Sequence, residues 1–283
     1  MRALSPFSER LGGPVQSSER IKSKGSVRLF RFTYRSGDHS VVGFLAEPKG
    51  TGRLPCIVWN RGGSMDFGKI TPKTLRMFER IAQWGYLVIA SQYSGCGGSE
   101  GKDEFGGQDL LDVLNLRRVL KRHPRADVRR IGMIGWSRGG LMTYLALAKV
   151  RWIRAAVSVA GVADVAALES DRPEMARRLR RMFRHTPRSV AQRSAIRQVR
   201  SFSRTAPLLL IHGTADWRVS PLQSMRLGEQ LYRHRIPFRL VVLEGADHGL
   251  SGFRKEENRL TKEWLDRYVK GQRTLPNLRP HGP

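Results

Sequence analysis

Six short, nearly continuous apolar runs separated by helical patterns constrain this chain more than any other feature. They are Cys56–Trp59, Tyr86–Ala90, Ile131–Ile134, Ala155–Ala160, Leu208–Ile211 and Leu240–Leu243. A strand with one face in water alternates polar and apolar residues, whereas a strand that is apolar throughout must be covered on both faces. The pattern predicts an α/β fold: a mostly parallel central sheet with helices on both faces. The helices between the runs carry recognisable ends. Thr71 and Pro72 supply an N-cap and a first-turn proline, and Gly85 closes that helix. Ser220-Pro221-Leu222-Gln223 reads as a capping box. Leu110–Leu120, Leu141–Ala148 and Lys255–Val269 complete the set. Upstream, Val27–Thr33 and Val41–Ala46 read as a hairpin turning at Ser36–His39.

The 283 residues suit one large domain. Residues 1–25 are polar and contain Pro6, Gly12, Gly13 and Pro14, so a loose extension is expected there. The catalytic domain is expected over 26–270, and a loose tail over 271–283. One segment, about 163–204, breaks the alternation between two core strands and is rich in arginine. It is expected to form a helical lid over the end of the sheet where a site is built. Neither a secretory-type apolar stretch nor a run of about 18 apolar residues is present, so no membrane partner is expected. The two cysteines, Cys56 and Cys96, form no CxxC and read as reduced thiols of a cytoplasmic protein. No metal-ligand spacing appears, and no cofactor is expected.

The sequence Gly135-Trp136-Ser137-Arg138-Gly139 joins a predicted strand to a predicted helix. A serine exposed on such a sharp turn needs neighbours two residues away that lack a Cβ. The helix that follows directs its positive end at the hydroxyl. Ser137 is therefore the candidate nucleophile of an α/β-hydrolase. In that fold the acid and the histidine follow in chain order. Of the histidines downstream, His185 lies in the expected lid, His281 in the tail and His212 at the end of a core strand. His248 sits in the polar loop after the last strand, where a general base can reach the turn. Asp216 follows the strand ending at Ile211 and is favoured as the acid that orients the imidazole. Asp247, beside His248, and Asp164 compete with it. Backbone N–H groups of Arg138 and of the loop Asn60–Ser64, where Gly62 and Gly63 permit close approach, are the expected oxyanion donors.

With these residues in hand, the chain resembles the catalytic domain of the prolyl oligopeptidase family of serine peptidases, over about residues 27–270. The resemblance is carried by Trp59-Asn60-Arg61-Gly62-Gly63, by Gly95–Gly101, by Gly135–Gly140, by His212–Val219 and by Asp247-His248-Gly249. It implies Ser137, Asp216 and His248 as the triad. It also implies that Arg218 and Val219 face the substrate. Arg61 stands where family members often carry a tyrosine or histidine, which leaves either Arg61 or a backbone N–H as the second oxyanion donor. The family's large peptidases carry an N-terminal β-propeller. None is expected here, so selectivity falls to the lid or to an oligomer.

The expected function is hydrolysis of peptide or amide bonds through an acyl-enzyme. A carboxylesterase on short acyl esters uses the same machinery and stays open, as does a basic, non-catalytic binding protein. The formal net charge of +27 fits an arginine-heavy composition, steering of acidic substrates, or nucleic-acid binding. The lid segment has only Phe183 and Phe202 among its arginines, so the stacking platform of a nucleic-acid binder is not expected. Ten arginines and no acid lie between Arg177 and Arg204, which is expected to favour substrates carrying a carboxylate.

Overall fold

A computed structural model describes residues 14–21, 25–271 and 274–280. Nine strands form one sheet among these residues. They are β1 (Val15–Ile21), β2 (Val27–Ser36), β3 (His39–Pro48), β4 (Leu54–Asn60), β5 (Leu87–Ser91), β6 (Ala126–Trp136), β7 (Ile153–Val159), β8 (Leu208–Gly213) and β9 (Phe238–Leu243). Their spatial order is β1-β2-β3-β5-β4-β6-β7-β8-β9. The first three pair antiparallel, β3 meets β5 antiparallel, and every pair from β5 to β9 is parallel. Each expected apolar run is one of the parallel strands.

Successive residues of the central strands feed opposite cores. Cys56 and Val58 of β4 point into one cluster, with helices α2 (Leu110–Arg122) and α3 (Arg138–Lys149). Ile57 and Trp59 point into the other, with α1 (Pro72–Gln83) and α8 (Arg254–Leu265). This two-sided burial is the physical reason that the runs lack alternation. Between β7 and β8 the chain forms α4 (Val165–Asp171), α5 (Pro173–Met182), α6 (Pro187–Arg193) and a 3-10 turn (Ala195–Ser201). Helix α7 (Leu222–Arg233) joins β8 to β9.

Two local expectations are corrected. Val15–Ile21 was expected to be loose and is instead an edge strand, paired from Val15 opposite Tyr34 to Ile21 opposite Leu29. Its side chains are mostly exposed, so the pairing rests on the backbone edge that β2 offers and leaves no apolar period to read. The rest of the expected extension, residues 1–13 and 22–24, lies outside the described residues, as does His281. The capping box at Ser220 does not form. Gln223 turns away, accepting N–H bonds from Ala163 and Asp164 at 2.9 and 2.7 Å and so pinning the base of the helical insertion.

Candidate active site

The chain leaves β6 and enters α3 through Ser137, whose backbone is forced to φ 57° and ψ −119°. Few residues with a side chain adopt this conformation, and it costs about 1–3 kcal/mol. The surroundings impose it. A Cβ at Gly135 would lie 2.0 Å from the Gly139 carbonyl oxygen, and one at Gly139 would lie 2.0 Å from that of Asn60. Both glycines of the motif are therefore required by contact as well as by the turn. The Ser137 N–H donates to the Val159 carbonyl at 2.9 Å, tying the elbow to β7. At the end of β4, Asn60 Nδ2 donates to Thr143 Oγ1 of α3 at 2.9 Å. The loop after β4 is thereby held against the elbow, and a Cβ at Gly62 would sit 3.3 Å from that of Ser137.

His248 and Asp216 arrive on neighbouring loops after β9 and β8. These loops are in contact: a Cβ at Gly213 would strike the Ala246 carbonyl oxygen at 2.1 Å, and the Ala215 N–H donates to that same oxygen at 3.0 Å. The His248 Nδ1 lies 2.8 Å from Asp216 Oδ2. Asp216 Oδ1 accepts the N–H groups of Arg218 and Val219 at 2.9 and 3.0 Å. Burial alone pushes the Asp216 carboxyl up. The hydrogen bonds from His212, His248 and the Val219 N–H outweigh it and hold the group well below the ordinary carboxylate range. The indole of Trp136 donates to the His248 carbonyl at 3.2 Å, fixing the histidine loop against the elbow.

The competing residues are occupied elsewhere. Asp247 accepts from the N–H and hydroxyl of Ser251, Asp164 caps α4 through the Ala166 N–H, and His185 pairs with Glu169. His212 is buried between Ser224 Oγ and the Val219 carbonyl, with Nε2 also 3.2 Å from Asp216 Oδ2. It braces Asp216 at the same carboxylate oxygen that His248 meets.

Ser137 and His248 share the wall of one cavity of about 820 Å³ with Gly62, Arg218 and Val219. Arg61 does not line it. Its fully buried guanidinium donates to the carbonyls of Gln92, Phe67 and Met65 at 3.0, 3.1 and 2.6 Å, shaping the loop from behind. This removes the Arg61 side chain as an oxyanion donor and leaves backbone N–H groups. Of the ten arginines between Arg177 and Arg204, only Arg178 reaches the cavity. Within α5, Arg177, Arg180 and Arg181 lie off the cavity wall, and the remaining six follow α5 in the chain.

Sequence reasoning missed one feature. The Arg138 side chain is buried under the elbow, within 2.6 Å of Asp103 and in closer contact with Asp109. Its Nη1 also donates to the Gly63 carbonyl at 3.1 Å, while Asp103 accepts the Met65 N–H at 2.6 Å. Tyr93 and Phe105 lie 4.9 and 5.1 Å from the guanidinium carbon. Burial pushes Asp109 up to about 6 even beside Arg138. Asp103 is held below the ordinary range because Arg138 and two N–H donors overcome its burial. Nothing in the spacing of Asp103 and Asp109 announces this trio; a charged residue opening an otherwise apolar helix was the available signal.

The fold and site define a serine hydrolase of the α/β-hydrolase type. Three comparisons narrow that class. The profile of the prolyl oligopeptidase family matches residues 74–272. The uncharacterized peptidase YtmA of Bacillus subtilis is 32% identical over 251 residues, which are 87% of this chain and 95% of that protein. Dipeptidyl-peptidase 5 of Porphyromonas gingivalis is 27% identical over 77% of this chain but only 34% of its own length. The acylaminoacyl peptidase of Pyrococcus horikoshii superposes with a TM-score of 0.78 at 21% identity, over 90% of this chain and 44% of that one, a likeness of fold. The chain belongs to the prolyl oligopeptidase family, a family of serine peptidases. It spans nearly all of YtmA and less than half of the larger proteins it matches. No helix among the described residues is long and apolar enough to cross a membrane.

Proposed function

We propose that this peptidase cleaves peptide or amide bonds through an acyl-enzyme on Ser137. His248 Nε2 takes the hydroxyl proton as Ser137 Oγ bonds to the scissile carbonyl carbon. Asp216 holds Nδ1–H, fixing the tautomer and stabilising the imidazolium. The oxyanion accepts hydrogen bonds from the Arg138 N–H, which opens α3 and has no acceptor one turn back, and from the backbone beside Gly62. His248 then protonates the leaving nitrogen as the C–N bond breaks, and water hydrolyses the ester by the same route. Arg218 and Val219 touch the substrate, and the insertion over residues 163–204 serves as the lid. The observation that carries this reading is the 2.8 Å contact of His248 with Asp216, on the cavity that also holds Ser137. Two buried, unpaired cysteines support a cytoplasmic setting.

The test is kcat/KM on peptidyl anilides beside short acyl esters, with Ser137→Ala as control. Anilide turnover that falls about 10⁴-fold or more in the variant is the expected result. Turnover of esters alone replaces the peptidase reading with a carboxylesterase. Anilide turnover that survives in the variant, or no turnover on either panel, overturns the assignment of Ser137.

A further inference from the structure

We propose that this cavity selects substrates carrying a carboxylate close to the scissile bond, an inference that rests on the serine-peptidase reading above. The cavity wall has cations on every side and, among the described residues, no Asp or Glu. Helix α1 presents Lys73, Arg76 and Arg80 at helical spacing along the face that also places Met77 on the wall. Arg254 joins them from the start of α8. The helical insertion adds Arg172 and Arg178, and the loop after the acid adds Arg218.

Several of these charges are already matched. Arg172 pairs with Glu174 at 2.6 Å and Arg254 lies 3.8 Å from Glu257. Arg138 also reaches the wall, but Asp103 and Asp109 neutralise it. Lys73, Arg76, Arg178 and Arg218 have no carboxylate within ion-pair distance among the described residues. Two of the four are fixed beside segments that also carry residues of the site. Arg178 Nη2 donates to the Ser64 carbonyl at 3.1 Å, two residues beyond the glycine that abuts Ser137. Arg218 is two residues beyond Asp216, with its guanidinium carbon 4.9 Å from the Trp217 ring and 5.5 Å from that of Phe67. Trp217 and Phe67 are 67% and 57% exposed, so the stacked cation stands at the open mouth of the cavity.

A concave surface lined by one sign of charge concentrates the opposite charge and disfavours its own. A free α-ammonium beside the scissile bond has no acceptor carboxylate on this wall and meets unpaired cations instead. A carboxylate meets them favourably. Two sources supply that group: an acidic side chain on the acyl side, or the terminal carboxylate of a short leaving fragment.

Two substrate pairs separate these sources. The first is N-acetylated peptide anilides ending in Glu or in Gln. The second is N-acetylated peptides whose leaving residue ends in a free carboxylate or in a carboxamide. Each pair is measured for kcat/KM on the intact protein and for Kd on Ser137→Ala, at low and at high ionic strength. The acid member of at least one pair is expected to exceed its neutral partner by about tenfold or more at low salt. That ratio is expected to fall towards one as salt screens it. It should fall about threefold in Arg218→Gln, and further when Lys73→Gln and Arg76→Gln are added. A ratio at or below one in both pairs, or no measurable binding of either acid, overturns the proposal. So does a preference that salt abolishes but these substitutions leave intact, because it then belongs to the net charge of the molecule. Selective binding without turnover sinks the peptidase reading alone, and Ser137-dependent turnover without preference sinks only the carboxylate reading.

Discussion

Replacing Arg138 with methionine tests the link between the buried ion trio and the elbow. The side chain is 1% exposed and meets two carboxylates. Removing one member of a buried ion pair costs about 3–5 kcal/mol, because the remaining charge is left without a partner. Here two like charges remain, and the loss takes a pH-dependent form. Asp103 keeps the N–H groups of Met65 and Phe105, whereas Asp109 has that of Gly106. Asp109, pushed up to about 6 even in the intact protein, is therefore the group that takes a proton in the variant. Without Arg138 its folded value rises further above the unfolded one. Where the native variant holds a proton that the native wild type has released, the stability deficit grows with pH. The deficit should be smallest below pH about 6 and grow by up to about 1.4 kcal/mol per pH unit above it. Urea denaturation of both proteins at about pH 5 and about pH 8 measures this. The same variant frees the Gly63 carbonyl and loosens the loop that Asp103 holds at Met65. A shift of about 1 Å there should lower kcat about a hundredfold with a smaller effect on KM. Arg138→Lys, which keeps a charge but not the fork, should recover part of both losses. Equal urea midpoints at both pH values, or an unchanged kcat, refute the reasoning.

Two further expectations concern the triad. Asp216→Asn should lower kcat about 10³–10⁴-fold. Because Asp216 is held well below its ordinary value, its stabilisation is present at neutral pH and is lost as pH falls from the ordinary carboxylate range down through the depressed folded value. The variant's acid-unfolding curve should accordingly be flatter than that of the wild type, and parallel curves would contradict the assignment of the shift. Ser137→Gly should abolish turnover yet raise stability by about 1 kcal/mol, because glycine accepts φ 57° without strain. Ser137→Ala keeps the Cβ and should not gain it; equal thermal midpoints for the two variants would show that the elbow stores no strain.

The family and the sheet were legible, and the residues proposed as the triad could be nominated, because each depends on local chemistry in a fixed order. Strands buried on both faces are apolar throughout, a nucleophile on a sharp turn demands flanking glycines, and the loops that follow particular strands deliver Asp216 and His248 to one end of the sheet. The edge strand Val15–Ile21 was illegible because an exposed strand held by backbone pairing needs no apolar period.

The core strands, their helices and the loops that nominate site residues could be read along the chain, since periodicity, turn residues and chain order are properties of neighbours in sequence. Only the folded arrangement sets which long polar side chains face the cavity and which lie behind its wall. Arg61 points away from the cavity and binds carbonyls, Arg138 is buried on two carboxylates, and Arg218 stands at the open mouth. An arginine side chain can lie along apolar surface in many directions. Its destination is set by carbonyls and carboxylates that lie far away in sequence and that only folding brings within reach.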